Sequence, residues 1–279
     1  MTKERLDILL TEKQLCDTRA IAQKMIRAGK VRVKQQIVDK PGTLIDIESL
    51  IEVEAEPLFV SRGGEKLVKA LNEFKINIEG RICLDGGIST GGFTDCLLQQ
   101  GAEKVYGVDV GYGQVAWKLR QDERLILLER TNFRHLTPEK LYNGEIFADL
   151  AVMDLSFISL TKVLAKLWEL LAPPRDIILL VKPQFEVGKN KVGKNGVVRD
   201  AQIQAEAINQ VLTEALRLSW QYQSLTWSPI TGPAGNIEYL LWLNQIESNQ
   251  PPNIDVIEKL TKESRKQLIM NNLKSSIPV

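Results

Sequence analysis

Residues 84–95 read Leu-Asp-Gly-Gly-Ile-Ser-Thr-Gly-Gly-Phe-Thr-Asp, and they join a short apolar run at 82–84 to a second apolar run at 96–98. This order is typical of a strand, a glycine-rich turn and a helix. Glycines let a ligand approach the backbone closely, and the N-terminus of the following helix offers free N–H groups. The segment therefore predicts a cofactor site in an α/β sheet.

The spacing of the glycines limits which cofactor can bind. A Walker phosphate loop needs Lys-Ser or Lys-Thr after its last glycine, and Phe93 follows Gly92 instead. The dinucleotide pattern G-x-G-x-x-G is also absent. A second acidic strand end, Asp109, follows Asp85 after about 24 residues, near the spacing of a carboxylate that binds a ribose. A ribose site without a pyrophosphate motif indicates S-adenosylmethionine, and a structural turn with an incidental Asp is the alternative.

The composition excludes several classes of protein. The chain has 279 residues and a net charge of +1, which allow one large and one small globular domain. Its three cysteines are far apart and its single histidine is His135, so neither a disulfide framework nor a metal centre is expected. We find no signal sequence and no apolar run near the ~20 residues of a membrane span. These features predict a cytoplasmic protein with no metal and no membrane partner.

Positive charge is concentrated near the N-terminus. Residues 13–40 contain eight lysines and arginines and only two acidic residues, whereas acidic residues cluster in 46–56. One helical stripe is predicted from the spacing of Leu6, Leu9, Leu10 and Leu15. Together with the alternation of Val31 and Val33, it predicts a small α+β domain. A local basic surface can neutralise phosphates, although a solvated helix face is the alternative. The predicted RNA-binding residues are Arg5, Arg19, Lys24, Arg27, Lys30, Arg32, Lys34, Lys40 and Arg62.

From residue 57 the chain alternates predicted strands and helices. The helices are expected near 93–100, 113–120, 159–171 and 201–218, with an antiparallel hairpin formed by 225–227 and 239–243. Alternation predicts a doubly wound α/β sheet that binds ligands at the carboxyl ends of its strands. The predicted strand ends are Asp85, Asp109, Glu129, Asp154 and Lys182. The predicted domain ranges are 1–56 for RNA binding, 57–64 for a linker, 65–247 for the enzyme domain and 248–279 for a polar helical tail.

Four residues beside breaks between elements are candidates for chemistry: Lys66, Asp154, Lys182 and Glu238. Methyl transfer to a hydroxyl oxygen needs a base for the hydroxyl proton. Lys182 follows five apolar residues, so partial desolvation makes it a candidate base. For each residue alone, a salt bridge at a strand end is the alternative.

Two other methyl acceptors can be considered. Transfer to cytosine C5 needs a nucleophilic cysteine, but Cys83 and Cys96 belong to the glycine-rich unit. Transfer to an amino group commonly uses a (D/N/S)-P-P-(Y/F) motif. Residues 154–157, Asp-Leu-Ser-Phe, have its outer residues but neither proline, so amino transfer stays open as a weaker alternative.

Several long blocks carry a resemblance to a known family. They are residues 59–67, 89–95, 109–114, 129–132, 154–160, 181–188 and 235–239. On these blocks the chain resembles the TlyA (haemolysin A) family of ribosomal RNA methyltransferases, whose catalytic domain is similar to FtsJ-type ribose 2′-O-methyltransferases. Residues 5–7, 18–19 and 40–41, with Gly29 and the alternating valines, resemble the αL RNA-binding module of a small-subunit ribosomal protein.

The resemblance implies a Rossmann-like, seven-stranded methyltransferase sheet with helices on both faces. It also implies a Lys-Asp-Lys-Glu tetrad at Lys66, Asp154, Lys182 and Glu238, with Lys69 as the competitor for the first position. The implied S-adenosylmethionine site comprises Asp85, Gly86, Gly87, Ser89, Thr90, Gly91, Phe93, Asp109, Asn132 and Asp154. The family has Ala where this chain has Ile88, and the larger side chain is expected to tighten the pocket for the methionine end.

The implied activity is methylation of a ribose 2′-hydroxyl in rRNA of the small subunit, the large subunit or both, with cytidine expected by family analogy. Ribosomal RNA or ribosomal subunits are the implied partners. Three alternatives remain: a base-amino methyltransferase, a non-catalytic ribosome-assembly factor that binds RNA, and a membrane-active haemolysin.

Overall fold

The computed structural model describes residues 2–54, 57–247 and 250–275, with side chains described through residue 270 in the last helix. The chain divides into two compact units, Met1–Pro57 and Leu58–Val279. The elements of the first unit are β1 (Lys3–Arg5), α1 (Leu6–Glu12), α2 (Arg19–Arg27), β2 (Val31–Val33), β3 (Gln36–Ile37), β4 (Leu44–Asp46) and β5 (Ile51–Val53).

The first unit buries the apolar faces of α1 and α2 against β2 and β5. Alternation in β2 places Val31 and Val33 in this core and leaves Arg32 exposed between them. Thr18 caps α2, because its side chain accepts a hydrogen bond from the amide of Ile21. The prediction that Leu15 continues the apolar stripe of the first helix is wrong. The helix ends at Glu12, and Leu15 is 40% exposed.

The second unit contains seven strands and eight helices among its described residues. Its helices are α3 (Gly63–Phe74), α4 (Gly92–Gln99), α5 (Trp117–Arg120), α6 (Pro138–Tyr142), α7 (Leu164–Leu170), α8 (Pro183–Glu186), α9 (Ala201–Arg217) and α10 (Ile254–Ser275). Its strands are β6 (Ile82–Gly86), β7 (Lys104–Val108), β8 (Leu125–Leu128), β9 (Leu150–Met153), β10 (Asp176–Val181), β11 (Gln221–Trp227) and β12 (Tyr239–Asn244).

The seven strands form one sheet in the order β11-β12-β10-β9-β6-β7-β8. Strands β8, β7, β6, β9 and β10 pair in parallel, and β12 is antiparallel to both of its neighbours. This confirms the α/β class and the predicted hairpin. Two predicted helices are shorter in the structure: only Trp117–Arg120 is helical within 113–120, and 159–171 divides into a 3₁₀ turn and α7.

Each face of the sheet has its own hydrophobic core. Successive residues of a strand point to opposite faces, so Ile177 and Leu179 belong to one core and Ile178 and Leu180 to the other. Helices α3 and α4 cover the second face, whereas α7 and α9 cover the first. The sheet is therefore buried on both sides, and its strand ends are where ligands can reach it.

Two segments flanking the predicted enzyme domain pack within the second unit. Of the predicted linker 57–64, residues 58–64 belong to the second unit, where Phe59 is buried and the amide of Val60 donates to Asp95 over 2.8 Å. Of the predicted tail, α10 packs along α9, where the Thr261 hydroxyl donates to the carbonyl of Ala201 over 2.8 Å.

Candidate active site

The carboxyl ends of three neighbouring strands lie side by side. In the sheet register, Gly86 at the end of β6 is paired with both Val108 of β7 and Met153 of β9. The next residues of β7 and β9 are Asp109 and Asp154. Side chains that the sequence spreads over about 70 residues therefore converge on the edge where ligands bind in a parallel sheet.

The glycine-rich turn brings its backbone close to this edge. Gly87 has φ +85°, and a Cβ at this position would lie 2.7 Å from the carbonyl oxygen of Asp154. Only glycine allows this conformation and this approach together. Gly91, with φ +99°, is the N-cap residue immediately before α4. The turn therefore leaves backbone N–H groups and an open space at the strand ends.

Two adjoining cavities occupy that space. The larger has a volume of about 460 Å³ and is bordered by Asp109, Asn132 and Phe133. The smaller, of about 220 Å³, is bordered by Lys66, Thr90 and Phe93. Gly87, Ser89 and Asp154 line both cavities. A cofactor in the larger cavity would thus lie next to a substrate group in the smaller one.

Two lysine–carboxylate pairs each contribute one residue to the cavity walls, Lys66 and Asp154, whereas Glu238 and Lys182 lie behind them and line neither cavity. The Nζ of Lys66 is 2.6 Å from Oε2 of Glu238, and the Nζ of Lys182 is 2.6 Å from Oδ1 of Asp154. Lys182 also donates to the hydroxyl of Ser156 over 2.9 Å. Lys66, Lys182 and Glu238 are all buried, so each charge depends on its partner.

The register of β10 and β12 brings the two pairs together. Val181 is paired with Tyr239 in an antiparallel ladder, so Lys182, the next residue of one strand, lies across from Glu238, the preceding residue of the other. The structure thus brings all four candidate residues to one edge. Lys69, the competitor for the first position, instead donates to the carbonyl of Trp227 over 2.7 Å and lies over the Trp227 ring.

A buried carboxylate holds the loop that follows Asp154. Glu186 of α8 accepts a 2.6 Å hydrogen bond from the Ser159 hydroxyl and a 2.9 Å bond from the Leu160 amide. Burial raises the pKa of Glu186. In the same loop, Phe157 lies between Asp154 and Ser159. Its side chain is 91% exposed, its φ is +65°, and its ring packs against Phe185. The loop is therefore tied to the strand that supplies Lys182.

The predicted cofactor residues divide into two groups. Gly87, Ser89, Thr90, Phe93, Asp109, Asn132 and Asp154 line the cavities. Asp85, Gly86 and Gly91 are buried and border neither cavity, so they belong to the turn without lining the site. The larger cavity is also lined by Phe133, Thr131 and Ser156, which were not predicted, although the first two flank Asn132 directly and Ser156 lies in the block 154–160.

Two backbone amides fix the carboxylate of Asp109 at the wall of the larger cavity. One oxygen accepts from the Ser89 amide over 2.8 Å and the other from the Gly111 amide over 2.7 Å. Each oxygen keeps a lone pair that can accept from a ribose hydroxyl. The apolar lining, the Asp109 carboxylate and a volume within the usual range for small-molecule sites fit an adenosine-containing cofactor.

Asp85 is a buried acid, and only one of its two carboxylate oxygens has a hydrogen-bond partner among the described residues. Its Oδ2 accepts from the Thr94 hydroxyl over 2.7 Å, and its Oδ1 has no partner among the described residues. Burial raises the pKa of Asp85 to about 7. The side chain therefore carries a proton in a substantial fraction of molecules at neutral pH.

The predicted RNA-binding residues of the first unit are mostly exposed. Arg27, Arg32, Lys34 and Lys40 are free of ion pairs within the described ranges, whereas Arg5 and Arg19 both contact the fully buried Asp7 at 3.0 and 2.9 Å. These bonds hold the pKa of Asp7 well below its usual range. Arg62, in the second unit, is exposed beside the smaller cavity.

Comparison with known proteins agrees with this geometry. Residues 59–245 match the FtsJ-like methyltransferase family, and residues 4–51 match the S4 domain. The chain is 48% identical over 243 residues to TlyA of Mycobacterium tuberculosis, named a 16S/23S rRNA (cytidine-2′-O)-methyltransferase, covering 86% of this chain and 90% of that protein. This chain belongs to the TlyA family. Its resemblance to that family, predicted from sequence, is confirmed, and it is a methyltransferase with an N-terminal S4 RNA-binding domain.

Other TlyA-like proteins match the whole chain. YqxC of Bacillus subtilis is 46% identical over 270 residues, which is 95% of each chain. A solved structure titled "Putative hemolysin from Streptococcus thermophilus" shares 40% identity with a TM-score of 0.74, covering 98% of this chain and 99% of that one.

No helix in the described ranges has the length and apolarity to cross a membrane. Within the same ranges, no group of three or more His, Cys, Asp or Glu side chains could hold a metal ion.

Proposed function

We propose that this TlyA-family enzyme transfers a methyl group from S-adenosylmethionine to a ribose 2′-hydroxyl of rRNA, with cytidine as the target nucleoside. The observation that carries the proposal is the convergence of the Lys66–Glu238 and Lys182–Asp154 pairs on one sheet edge, beside the cavity at the glycine-rich turn. The printed activity of the M. tuberculosis relative supports the choice of acceptor.

In this proposal the larger cavity holds the cofactor. Asp109 would accept from its ribose hydroxyls, Asn132 and Phe133 would border its adenine, and the backbone of 87–91 would hold its methionine end. S-adenosylmethionine supplies an electrophilic methyl group on a sulfonium. The apolar side chains of the lining fit the adenine ring and the aliphatic carbons of such a ligand.

The tetrad would manage the proton of the acceptor hydroxyl. With its amine in the neutral form, Lys182 would take the proton from the 2′-hydroxyl as the new O–CH₃ bond forms and the S–CH₃ bond breaks, and Asp154 would then balance the charge of the resulting ammonium. Asp154 and Ser156 orient that amine through their 2.6 and 2.9 Å contacts. The ammonium of Lys66, held by Glu238, stabilises negative charge that develops on the oxygen.

The residues that follow β9 favour a hydroxyl over an amino acceptor. Oδ1 of Asp154 lies 2.6 Å from the Nζ of Lys182, so this carboxylate serves to orient a lysine amine. The bulky prolines of the amino-transfer motif are also absent from 154–157. Activity on a ribose is therefore the better supported proposal.

The S4 unit would recruit the RNA. Its exposed basic residues can contact phosphates, and such contacts add affinity without reading sequence. Arg62, beside the smaller cavity, would contact the RNA near the target. We propose that the enzyme acts on ribosomal subunits, which implies work in the cytoplasm, and that Arg5 and Arg19 contribute in part through the Asp7 cluster.

The proposal is tested by incubating the full chain with S-adenosylmethionine and, separately, small and large ribosomal subunits that lack the modification. Nucleoside mass mapping identifies the product, and resistance of the adjacent phosphodiester to alkali distinguishes ribose from base methylation. We expect 2′-O-methylcytidine with the wild type and at least about 100-fold slower transfer with Lys182→Ala, at nearly unchanged cofactor affinity. An alkali-sensitive product, or wild-type rates in Lys182→Ala, would refute the proposed reaction.

A further inference from the structure

A third cavity, here called the side pocket, lies next to the candidate active site. Its volume is about 270 Å³, and it lies between residues 197–199, residues 231–237 and helix α10. Thr231 lines both the side pocket and the smaller cavity that borders Lys66. The side pocket therefore adjoins the place where the target ribose is expected.

The charged residues that line the side pocket are arginines. Arg199 and Arg265 border it and are exposed, and no Asp or Glu among the described residues lines it. Arg265 donates to the backbone carbonyl of Arg199 over 3.2 Å, so the two residues lie close together. Within the described ranges neither guanidinium forms an ion pair. Two adjacent arginines with open donors are suited to a phosphodiester.

The inner wall of the side pocket is apolar. Val198 and Leu268 are buried with 2% and 6% exposure, and Ile237 and Ile269 extend the same surface. A nucleobase has a large apolar face that packs on such a wall, while its phosphate needs cations at the rim. The combination fits one nucleotide better than it fits an apolar peptide or an acidic side chain.

Hydrogen bonds fix the pocket to the strand of Glu238. The buried side chain of Asn236 donates to the Gly196 carbonyl and accepts from the Val198 amide, each over 2.9 Å. Gln204 donates to the Val198 carbonyl over 2.7 Å and accepts from the Tyr239 hydroxyl over 2.7 Å. The pocket is thus preformed, and its position relative to the tetrad is set by the same strand.

We propose that the side pocket binds the nucleotide adjacent to the methylated one, with its base on the Val198–Leu268 wall and its phosphodiester on Arg199 and Arg265. This inference rests on the proposed function, because it takes RNA as the substrate. It assigns the 193–199 loop and α10 to substrate binding. The S4 unit would bring the RNA to the enzyme, and the side pocket would fix the strand at the target.

The charge contribution is tested with Arg199→Ala and Arg265→Ala in the full chain, using the ribosomal subunit that the wild type methylates. We expect KM for the subunit to rise about five- to tenfold for each variant, with kcat and the Kd for S-adenosylmethionine within about twofold. The slope of log affinity against log salt should shrink by about 0.7–0.9 for each lost phosphate contact.

Lys266→Ala is the matched control, because Lys266 is an exposed cation on the same helix and does not line the pocket. It should leave KM and the salt slope near the wild-type values. Arginine variants that behave like Lys266→Ala would overturn the proposal.

The base contribution is tested by filling the pocket. Ala234 is exposed and lines it, so Ala234→Trp blocks the cavity without removing charge or core packing. We expect a raised KM for the subunit with unchanged cofactor binding and melting temperature. An unchanged KM would overturn the assignment of a base to this pocket.

The outcome can be separated from that of the proposed function by measuring affinity for labelled, unmodified rRNA in the absence of cofactor. If the wild type forms no 2′-O-methylcytidine but the arginine variants still reduce the salt slope, the proposed reaction fails and the side pocket stands. If methylation proceeds and the slope is unchanged, the reverse holds.

Discussion

Lys66 and Glu238 form a 2.6 Å ion pair across 172 positions of sequence. The lysine lies on α3, which precedes the first strand of the sheet, and the glutamate precedes the strand β12. Both side chains are buried, and the cavity beside Lys66 is also lined by the glycine-rich turn. The pair therefore joins the helix before the first strand of the sheet to the start of its last strand, at the point where the proposed reaction occurs.

The two lysines of α3 should separate in their effects on activity. We expect Lys66→Met to slow methyl transfer by at least about 100-fold, because it removes the cation beside the reacting oxygen. Lys69→Met should keep transfer within a few-fold of the wild type, since Lys69 bonds to the Trp227 carbonyl and lies away from both cavities. Single-turnover methylation of ribosomal subunits measures both rates.

Circular dichroism of the two variants provides the control for folding. The loss of the Lys69 contacts should lower stability by about 1 kcal/mol, the typical value of one hydrogen bond. If Lys69→Met lost transfer and Lys66→Met retained it, the first position of the tetrad would belong to Lys69.

Asp85 should make stability depend on pH. Its folded pKa of about 7 is above the unfolded value near 3.8, so folding disfavours the charged form. The associated stability is fully present below about pH 4 and is lost as pH rises through 7. Relative to Asp85→Asn, the wild type without cofactor should therefore lose up to about 1.4 kcal/mol per pH unit between about pH 5 and pH 7.

Tryptophan fluorescence during urea unfolding measures this difference cleanly. All five tryptophans lie between residues 117 and 242, so the signal reports the second unit alone. Asp95→Asn offers a comparison, because Asp95 is a neighbouring buried acid that is paired with Lys118 at 2.9 Å. A pH-independent difference between wild type and Asp85→Asn would contradict the prediction.

We expect the main effect of Asp7 to be on the stability of the S4 unit and not on its net charge. Its carboxylate accepts from Arg5, Arg19 and Gln23, and these bonds keep its pKa low. Asp7→Asn should lower the free energy of local opening by about 1–3 kcal/mol at neutral pH. Amide hydrogen exchange in residues 2–54 should therefore become faster. Because the folded pKa is depressed, the effect should fade as pH falls below about 4.

Asp39→Asn is the control for Asp7, since Asp39 is an exposed acid of the same unit. It should leave exchange unchanged. Exchange rates that match between wild type and Asp7→Asn at neutral pH would show that the cluster does not stabilise the unit.

The local patterns of the chain specified most of its elements. Gly87 and Gly91 allow a turn with positive φ, the alternation of Val31 and Val33 favours a half-buried strand, and Thr18 provides a helix cap. These depend on neighbouring residues only, so they are visible in a single sequence. The predicted helix over 113–120 was too long because a periodic pattern alone does not fix where a helix begins.

The partners of the charged residues depended on contacts between distant segments. The sequence identified Lys66, Asp154, Lys182 and Glu238 as candidates, yet it left Lys69 as a competitor for the first position. It also did not indicate that Arg5 and Arg19 both bind Asp7. Only the sheet register decides that Lys182 faces Glu238, and only the packing of α3 directs Lys66 into the cleft and Lys69 onto Trp227. Local chemistry determines what each segment can form, whereas burial of the sheet on both faces determines which side chains meet.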